Sequence, residues 1–276
     1  MRQHSIFYHK NVIITGAASG IGKALARLLN TKRARLYLLD LNEEGLQQLA
    51  TSLKRINPNV FTYSFDVSDY PSFVNFQQEF LKTETCPDYL FNNAGVGIGG
   101  EVKDFSIESW KKIIDANLYG TINGIQLFYP LMVENRKGHI VNISSLAGLA
   151  ALPGEAPYVA SKYAIQGLTE ALEVEASFYD VKVTAVCPGV VRTPIYKTGQ
   201  IIGFNKKKVL RLWPKGITAK ACAEIILEGV AKEKRMIVIT AFAKVVYFAK
   251  RFFSSLLRLG FLHYFRQVKL SKKARR

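Results

Sequence analysis

The sequence predicts an α/β fold, a three-layer α/β/α sandwich built around a doubly wound parallel sheet. Short runs of apolar and β-branched residues alternate with helical patterns to about residue 240, and the first run leads into a glycine-rich turn. A chain of 276 residues is long enough for one such domain with a large core. We therefore expect residues 1–241 to form one α/β domain and residues 242–276 to form a basic, amphipathic helical extension.

The first predicted strand, residues 12–15, runs directly into a loop with three glycines, Gly16, Gly20 and Gly22, and then into a strong helix former at residues 23–29. Strand, glycine-rich turn and helix in this order are the context of a Rossmann-like dinucleotide fingerprint. The glycines allow a tight turn and close approach of the backbone, and the free N–H groups of the helix N-terminus suit a pyrophosphate. The alternative is an ordinary glycine turn.

A second predicted strand, residues 35–39, ends in Asp40. A carboxylate at this place accepts hydrogen bonds from the adenosine ribose and repels a 2′-phosphate, and neither Ser19 nor the residues just after Asp40 are basic. This favours NAD(H) over NADP(H). The alternative is that Asp40 only caps the next helix. Asp66 and Val67 follow a third strand, at the edge of the sheet where ligands bind in open α/β folds.

A candidate for proton transfer lies further along, where Tyr158 and Lys162 are four residues apart. On a helix, this spacing puts the ammonium beside the phenol, and a nearby cation favours the ionised form of a group whose ordinary pKa is about 10. Ser145, upstream, would hold the substrate oxygen by a hydrogen bond. Taken alone, the pair is equally typical of a surface helix.

The glycine spacing, Asp40, Asp66-Val67, Asn92-Asn93-Ala94-Gly95, Asn117, Ser145, Tyr158/Lys162 and Pro188-Gly189 occur in one fixed order. In this the chain resembles the single-domain short-chain dehydrogenases/reductases, from about Lys10 to about Thr240. The resemblance implies that Tyr158 is the general acid/base and that Lys162 lowers its pKa and binds the nicotinamide ribose. It further implies that Ser145, rather than Ser144, holds the substrate oxygen, and that Asn117 anchors a water that links Lys162 to solvent.

The resemblance also implies a set of cofactor-binding positions, and no catalytic or cofactor position departs from the family pattern. Pro188, Gly189, Val191 and Thr193 would hold the nicotinamide end, Thr193 through the carboxamide. The full predicted set is Thr15, Gly16, Ser19, Gly20, Ile21, Gly22, Asp40, Asp66, Val67, Asn93, Ala94, Gly95, Tyr158, Lys162, Pro188, Gly189, Val191 and Thr193. As isolated residues, Asn93, Asn117 and the two serines would be interpreted as turn, helix-interior and strand-end residues.

Composition narrows the setting of this chemistry. The three cysteines are scattered and have no metal-ligand spacing, which is typical of reduced thiols in a cytoplasmic protein. The four histidines are dispersed as well, so we expect no metal site. No run of about 18 apolar residues suggests a membrane-spanning helix, and residues 7–10 are too short and polar for a signal-peptide core.

The formal net charge of +17 is unevenly placed, because residues 242–276 contain ten Lys and Arg residues and no acid. A helix is predicted over residues 242–259, with an apolar side and a cationic side, and the phase of the pattern shifts after Gly260. Such a helix suits the surface of an anionic membrane. The alternatives are packing on the catalytic domain or on a second subunit, whereas nucleic acid ranks last because no recognised motif accompanies the charge.

The segment after Thr193, where the family has its variable substrate lid, is rich in apolar residues and then in lysines. The apolar members are Ile195, Tyr196, Ile201, Ile202 and Phe204, and Lys206, Lys207, Lys208, Arg211 and Trp213 follow. Apolar residues here would line a pocket for a lipophilic alcohol or carbonyl compound, such as a retinoid, steroid or fatty aldehyde. The lysines are equally typical of a solvated surface.

These observations predict an NAD(P)-dependent oxidoreductase that interconverts a lipophilic alcohol and its carbonyl compound. We expect a cytoplasmic protein that associates peripherally with membranes through residues 242–276. The resemblance implies a homodimer or homotetramer formed through the helices near residues 106–135 and 157–180. Two alternatives remain open. One is an NADP-preferring carbonyl reductase of small soluble substrates, and the other is a non-catalytic, cofactor-sensing scaffold at a membrane surface.

Overall fold

A parallel sheet of seven strands forms the centre of the protein, seen in a computed structural model that describes residues 5–195 and 199–270. The strands lie in the order β11-β7-β6-β4-β1-β2-β3. They are β1 (Asn11–Thr15), β2 (Arg35–Asp40), β3 (Val60–Ser64), β4 (Tyr89–Asn92), β6 (His139–Ile143), β7 (Lys182–Pro188) and β11 (Met236–Ile239). The chain changes direction across the sheet between β1 and β4, which is where open α/β sheets bind their ligands.

Helices cover both faces of this sheet, as the sequence predicts. They are α1 (Gly20–Thr31), α2 (Glu43–Lys54), α3 (Tyr70–Leu81), α4 (Ile107–Ile114), α5 (Gly120–Glu134), α6 (Ala156–Ala176), α7 (Lys206–Arg211), α8 (Ala219–Ala231), α9 (Ala241–Phe252) and α10 (Ser254–Lys269). Helices α1, α2 and α8 contribute to one hydrophobic core, whereas α3, α5 and α6 contribute to the core on the other face. The predicted three-layer α/β/α sandwich is therefore confirmed.

Local sequence explains why these helices begin where they do. The Asn42 side chain accepts a hydrogen bond from the Gly45 N–H at 2.9 Å, and two glutamates occupy the first turn of α2, where the helix dipole favours negative charge. Thr218 caps α8 in the same way, through a 3.1 Å bond from the Ala221 N–H. Ser19, which precedes α1, makes no such bond with its side chain, so α1 starts without a side-chain cap.

Two small sheets stand outside the central one and hold the segments that border the active site. In one, β5 (Ile98–Gly99) pairs with β9 (Gln200–Ile201), which ties the predicted lid to the loop after β4. In the other, β8 (Val191–Arg192) pairs with β10 (Ile217–Thr218). The lid therefore has a fixed position at the carboxyl end of the main sheet. Tyr196, which the sequence placed in this lid, lies outside the described residues.

The C-terminal extension differs from its prediction. Instead of one helix whose apolar pattern shifts after Gly260, the extension forms two helices, α9 and α10. They are separated at Phe253, whose φ of −134° and ψ of 45° are not helical. Gly260 lies inside α10, where an added Cβ would meet no atom within 4 Å. Ala243 and Val246 of α9 are buried against Leu146 and Ala150. Part of the extension therefore packs on the catalytic domain.

Candidate active site

A cavity of about 420 Å³ lies at the carboxyl ends of the central strands, and we call it the cofactor cavity. It is bordered by the turns that follow β1, β2, β3, β4, β6 and β7. The predicted cofactor residues that line it are Gly16, Ser19, Gly20, Ile21, Asp40, Asp66, Val67, Asn93, Ala94, Gly95, Tyr158, Lys162, Pro188, Gly189, Val191 and Thr193. The fold therefore brings into one cavity residues that are distributed over more than half of the chain.

The glycine-rich loop has the shape that a pyrophosphate requires. Gly20 has a φ of +52°, in the left-handed region that favours glycine, and it begins α1 with the first turn uncapped. Gly22 is packed even more closely, since a Cβ there would lie 2.2 Å from the Gly16 carbonyl oxygen. The N–H groups at the start of α1 are thus available to an anion, and the loop fits the phosphates of a dinucleotide.

Asp40 holds its carboxylate at the end of β2 through two backbone bonds. One oxygen accepts from the Ala18 N–H and the other from the Asn42 N–H, both at 2.9 Å. The alternative interpretation, that Asp40 caps the next helix, is wrong because the Asn42 side chain is the cap of α2. Each carboxylate oxygen keeps capacity to accept a further bond, and Asp40 lines the cavity, so it fits the ribose hydroxyls of a bound dinucleotide.

Two of the predicted cofactor residues, Thr15 and Gly22, do not line the cavity. Thr15 is buried, and its hydroxyl accepts from the backbone N–H groups of Asn93 and Ala94, each at 2.9 Å. The Asn93 side chain in turn donates to the Thr15 and Gly16 carbonyl oxygens at 2.9 and 3.1 Å. These bonds join β1 to the turn after β4, so Thr15 supports the wall of the cofactor cavity without lining it.

The two candidate serines after β6 have different surroundings. Ser144 is buried, and its hydroxyl donates to the Lys162 carbonyl oxygen at 3.0 Å. Ser145 borders the cofactor cavity, and its hydroxyl accepts from the Ala147 N–H at 3.1 Å. The Ser145 side chain is also hydrogen-bonded to Tyr158, whereas the Ser144 hydroxyl binds the backbone of Lys162. The role of Ser145 as the group that holds the substrate oxygen stays a prediction.

Lys162 and Asn117 lie beside Tyr158 in a connected polar cluster. The Lys162 Nζ donates to the Ile143 carbonyl oxygen at 2.8 Å and lies 5.7 Å from the centre of the Tyr158 ring. Asn117 is fully buried in a π-helical turn between α4 and α5, a local distortion that is frequent at functional sites. A Cβ at Gly95 would lie 2.9 Å from the Asn117 Oδ1 and 3.7 Å from the Lys162 Nζ, so both side chains border the same point.

Asn117 is also fixed in orientation by its own bonds. Its Nδ2 donates to the Val96 carbonyl oxygen and to the Ser161 hydroxyl, both at 3.0 Å, and its Oδ1 accepts from the Val96 N–H at 2.7 Å. These bonds hold the turn that contains Gly95 against the helix that carries Tyr158 and Lys162. The water that Asn117 is expected to anchor stays a prediction.

Burial sets the protonation behaviour of Tyr158 and Lys162. It raises the pKa of Tyr158 from its ordinary 10.0 to about 12, although hydrogen bonding by Ser145 lowers that pKa, and the Glu155 carboxylate raises it further. Burial also lowers the pKa of Lys162 from 10.5 to about 8. Desolvation is therefore the largest cause of the shift in both groups. The lowering of the Tyr158 pKa by Lys162 stays a prediction.

A second cavity, of about 440 Å³, lies on the other side of Tyr158, and we call it the apolar cavity. The two cavities share four lining residues, which are Ser145, Tyr158, Gly189 and Ile195. The lid and the loop before α6 supply much of its wall, including Ile201, Phe204, Val209, Leu212, Leu152 and Pro153. The phenol and hydroxyl expected to act on the substrate therefore lie where a polar and an apolar cavity meet.

The C-terminal extension completes the wall of the apolar cavity, a role that was not predicted from the sequence. Its lining residues are Phe242, Val246, Leu257, Gly260, Phe261, Tyr264 and Val268. Helix α10 is attached to the lid by a 2.9 Å bond from the Trp213 Nε1 to the Tyr264 hydroxyl, and Val268 packs with Phe204 and Val209. The apolar side chains of α10 therefore form two sets, one that lines the apolar cavity and one that is exposed on the outside of the protein.

Other lining residues were missed as well. Lys112 of α4 borders the cofactor cavity, and Glu155, three residues before Tyr158, borders the apolar one. The position of Glu155 one helical turn from a predicted catalytic tyrosine was an available signal. Among residues 5–195 and 199–270, no group of His, Cys, Asp and Glu could hold a metal ion. Within the same ranges, no helix has the length and hydropathy to cross a membrane.

Comparisons with known proteins agree with this geometry. The family model described as short chain dehydrogenase matches residues 10–200. A putative oxidoreductase, SadH of Mycobacterium tuberculosis, is 34% identical over 248 residues, which are 88% of this chain and 90% of that protein. Dehydrogenase/reductase SDR family member 7B of Bos taurus is 30% identical over 246 residues, 87% of this chain and 76% of that protein.

The similarity extends to solved structures. A short-chain dehydrogenase/reductase from Burkholderia phymatum, crystallised in complex with NAD, superposes with a TM-score of 0.83 at 26% identity, over 91% of this chain and 95% of that one. The sheet order, the dinucleotide-shaped cavity and the ordered motifs are thus accompanied by a match over most of the chain. This chain belongs to the short-chain dehydrogenase/reductase family and is an oxidoreductase.

Proposed function

We propose that the protein interconverts a lipophilic alcohol and its carbonyl compound, with NAD(H) as the redox partner. The observation that carries this proposal is the meeting of the two cavities at Ser145 and Tyr158. One cavity has a glycine-rich loop, an uncapped helix N-terminus and a carboxylate, which fit a dinucleotide. The other is lined mainly by aliphatic and aromatic side chains, which fit an apolar substrate.

The residues of the cofactor cavity fit a bound dinucleotide along its length, with Asp40 at the adenosine ribose, the loop from Gly16 to Gly22 at the pyrophosphate, and Thr193 at the nicotinamide end. When bound, the nicotinamide ring supplies the acceptor or donor of the hydride. A dinucleotide in this cavity and an alcohol in the apolar cavity are held in a fixed relation, and such positioning contributes a large share of the rate.

The protein's own residues move the proton. Tyr158 takes the hydroxyl proton of the alcohol when it is oxidised and returns a proton to the oxygen when a carbonyl is reduced. Ser145 donates a hydrogen bond to the same oxygen and fixes its position. Lys162, beside the tyrosine ring, stabilises the phenolate and binds the nicotinamide ribose, while the cluster around Asn117 connects Lys162 to solvent. Proton transfer of this kind contributes about 10²–10⁴-fold to the rate.

A spectrophotometric assay of NADH formation tests this function. Purified protein is incubated with NAD⁺ and primary or secondary alcohols of increasing chain length, in detergent where needed. We expect kcat/KM to rise with chain length until the substrate fills the apolar cavity. A non-catalytic scaffold would give no NADH with any alcohol or from the reverse reaction, and a reductase of small soluble substrates would favour the shortest compounds and NADPH.

We further propose that the outer side of the extension binds an anionic membrane surface. Its large apolar side chains are strongly exposed: Val245, Phe248, Phe252, Phe253, Leu256, Leu259 and Leu270 each have more than half of their surface accessible. Lys244, Lys250, Arg251 and Arg258 are exposed on the same helices. Apolar contact with lipid together with attraction to anionic headgroups is the usual basis of interfacial binding. The mouth of the apolar cavity would then lie close to the bilayer.

Point substitutions test this better than removal of residues 242–276, because the extension also forms a wall of the apolar cavity. We expect Phe252→Ser with Leu256→Ser to lose co-sedimentation with vesicles that contain phosphatidylserine. Ile56, between α2 and β3 at the sheet edge opposite to β11, provides the control, and Ile56→Ser, 49% exposed in the wild type, should sediment normally. Equal sedimentation of all three proteins would contradict membrane binding through this surface.

A homodimer or homotetramer formed through the helices near residues 106–135 and 157–180 remains part of the proposal. Exposed apolar side chains on these segments support it, since Tyr119, Val174 and Phe178 are 52%, 60% and 74% accessible. Light scattering on the purified protein distinguishes a monomer from these assemblies, and Phe178→Ser with Val174→Ser should shift the mass toward the monomer.

A further inference from the structure

The apolar cavity contains a carboxyl group that the proposed reaction does not use. Among the described residues, Glu155 is the only acid that lines this cavity. It directly precedes α6, and Tyr158 follows three residues later on the first turn of that helix. Its side chain does not cap the helix. An acid on an apolar wall is unusual, because burying a charged or polar group without a partner is unfavourable.

No other described side chain neutralises this carboxyl. None of the salt bridges between described residues includes Glu155. The lysine that lines the same cavity, Lys206, donates to the Gly199 carbonyl oxygen at 2.6 Å. Burial accordingly raises the pKa of Glu155 from 4.5 to about 7. The cavity therefore holds a carboxyl whose hydrogen-bonding capacity is available to a ligand.

Glu155 shares the wall of the apolar cavity with two phenols, Tyr158 and Tyr264. Burial raises the pKa of both phenols, and the Glu155 charge raises them further. The Tyr264 hydroxyl accepts the bond from Trp213, so its own proton is still available to a ligand. Glu155 and Tyr264 together form a polar patch on a wall that is otherwise mainly apolar.

We propose that Glu155 is a specificity-determining residue and that the substrate carries, besides its reacting hydroxyl or carbonyl, a second hydrogen-bond donor that binds the Glu155 carboxyl. This inference rests on the proposed function of the site. Glu155 and Tyr158 are three residues apart in the chain and line the same cavity, so the second donor lies near the reacting carbon. Neutral hydroxyl-bearing lipids fit this arrangement, whereas a carboxylate near the reacting carbon would be repelled.

Matched alcohols test the inference by binding, independently of turnover. A neutral fluorescent probe, N-phenyl-1-naphthylamine, is displaced from the full-length protein by 1-dodecanol and by the 1,2-, 1,3- and 1,4-dodecanediols. We expect at least one diol to bind about ten-fold more tightly than 1-dodecanol, because hydrogen bonds to charged or ionisable groups are stronger than neutral ones. Glu155→Leu should reduce this preference to about one-fold and bind 1-dodecanol at least as well.

Two further variants keep the test decisive. Gln200→Leu makes a comparable polar-to-apolar change on the same cavity wall and should retain the preference for the diol. Glu155→Gln keeps an acceptor at the same place and should retain part of the preference. Equal binding of diols and 1-dodecanol by the wild type, or a preference that persists in Glu155→Leu, would overturn the role of Glu155.

Turnover of the same compounds, measured in parallel, distinguishes failure of this inference from failure of the proposed function. NADH formation with 1-dodecanol and the diols at equal kcat/KM, unchanged in Glu155→Leu, would leave the proposed reaction intact and overturn the inference. A diol preference in binding that Glu155→Leu removes, without NAD-dependent turnover of any compound, would support the binding role of Glu155 and contradict the proposed reaction.

Discussion

The cofactor cavity and the apolar cavity meet at Tyr158, yet they are built in different ways. Short turns at the ends of successive strands form the cofactor cavity, and each turn carries residues whose chemistry is specific, such as Gly20, Asp40 and Asn93. The apolar cavity is formed by the lid and the C-terminal extension, which are brought together by ordinary hydrophobic packing such as that of Phe204 with Val268.

Because the two cavities are built differently, we expect them to respond differently to substitution. The cofactor side depends on backbone geometry that few residues can adopt, so a small change there is severe. The shape of the apolar cavity arises from many similar hydrophobic contacts. A single substitution in its wall should therefore change the affinity for substrate without abolishing the reaction. The variants below test this contrast from the largest expected effect to the smallest.

The largest of these effects is expected at the glycine-rich loop. Gly22→Ala would place a Cβ 2.2 Å from the Gly16 carbonyl oxygen, so the loop must move. We expect the dissociation constant of NADH, measured by protein fluorescence, to rise by about 100-fold, which corresponds to about 2.8 kcal/mol.

The control is Gly167→Ala, in α6, where an added Cβ meets no atom within 4 Å. Alanine is the better helix former by about 1 kcal/mol, so this variant should bind NADH normally and unfold at the same or a higher temperature. Equal dissociation constants of NADH for the two variants would contradict the strict backbone geometry that we attribute to the cofactor cavity.

A smaller effect is expected for cofactor choice. Asp40→Asn removes the charge that opposes a 2′-phosphate and keeps an acceptor for only one of the two N–H groups, those of Ala18 and Asn42, that Asp40 binds. We expect the ratio of the NADPH to the NADH dissociation constant to fall by about ten-fold, or about 1.4 kcal/mol. An unchanged ratio, with wild-type Tm, would mean that Asp40 does not select against NADP.

The smallest effect is expected on the wall of the apolar cavity. Phe261 of α10 lines this cavity, whereas Leu259, two residues earlier, points outward and is 59% exposed. Phe261→Ala should raise the KM for a long-chain alcohol by about five-fold through lost apolar contact and leave kcat within two-fold. Leu259→Ala should leave both constants unchanged. A similar KM for both variants would mean that the substrate does not touch the extension.

The two cavities also differ in how much of each could be predicted from the sequence. Glycine spacing, a carboxylate at a strand end and a tyrosine four residues before a lysine are tied to particular chemistry, so the fold was predicted, and 16 of the 18 predicted cofactor residues line the cofactor cavity. Thr15 does not line the cavity, because its hydroxyl accepts from the backbone N–H groups of Asn93 and Ala94, and its contact with a cofactor stays a prediction.

The apolar cavity was predicted only in its lid. An amphipathic helix has the same pattern whether its apolar side meets lipid or protein, so the sequence could not show that Phe261 and Tyr264 face inward while Leu256 and Leu259 face outward. The break at Phe253 was missed because glycine is the usual signal for a helix end. Leu257 and Phe261, on either side of Gly260, pack against the cluster of Leu146, Ala150, Ala243 and Val246, and α10 continues through Gly260.

The central claim, that Tyr158 transfers the proton where the two cavities meet, is tested most directly by Tyr158→Phe. Tyr163→Phe is the control, since Tyr163 belongs to the same helix but is partly exposed and lines neither cavity. The account predicts that Tyr158→Phe lowers kcat by about 10²–10⁴-fold while NADH binds within two-fold of wild type, and that Tyr163→Phe changes neither value. A Tyr158→Phe enzyme that keeps more than a tenth of the wild-type kcat would contradict it.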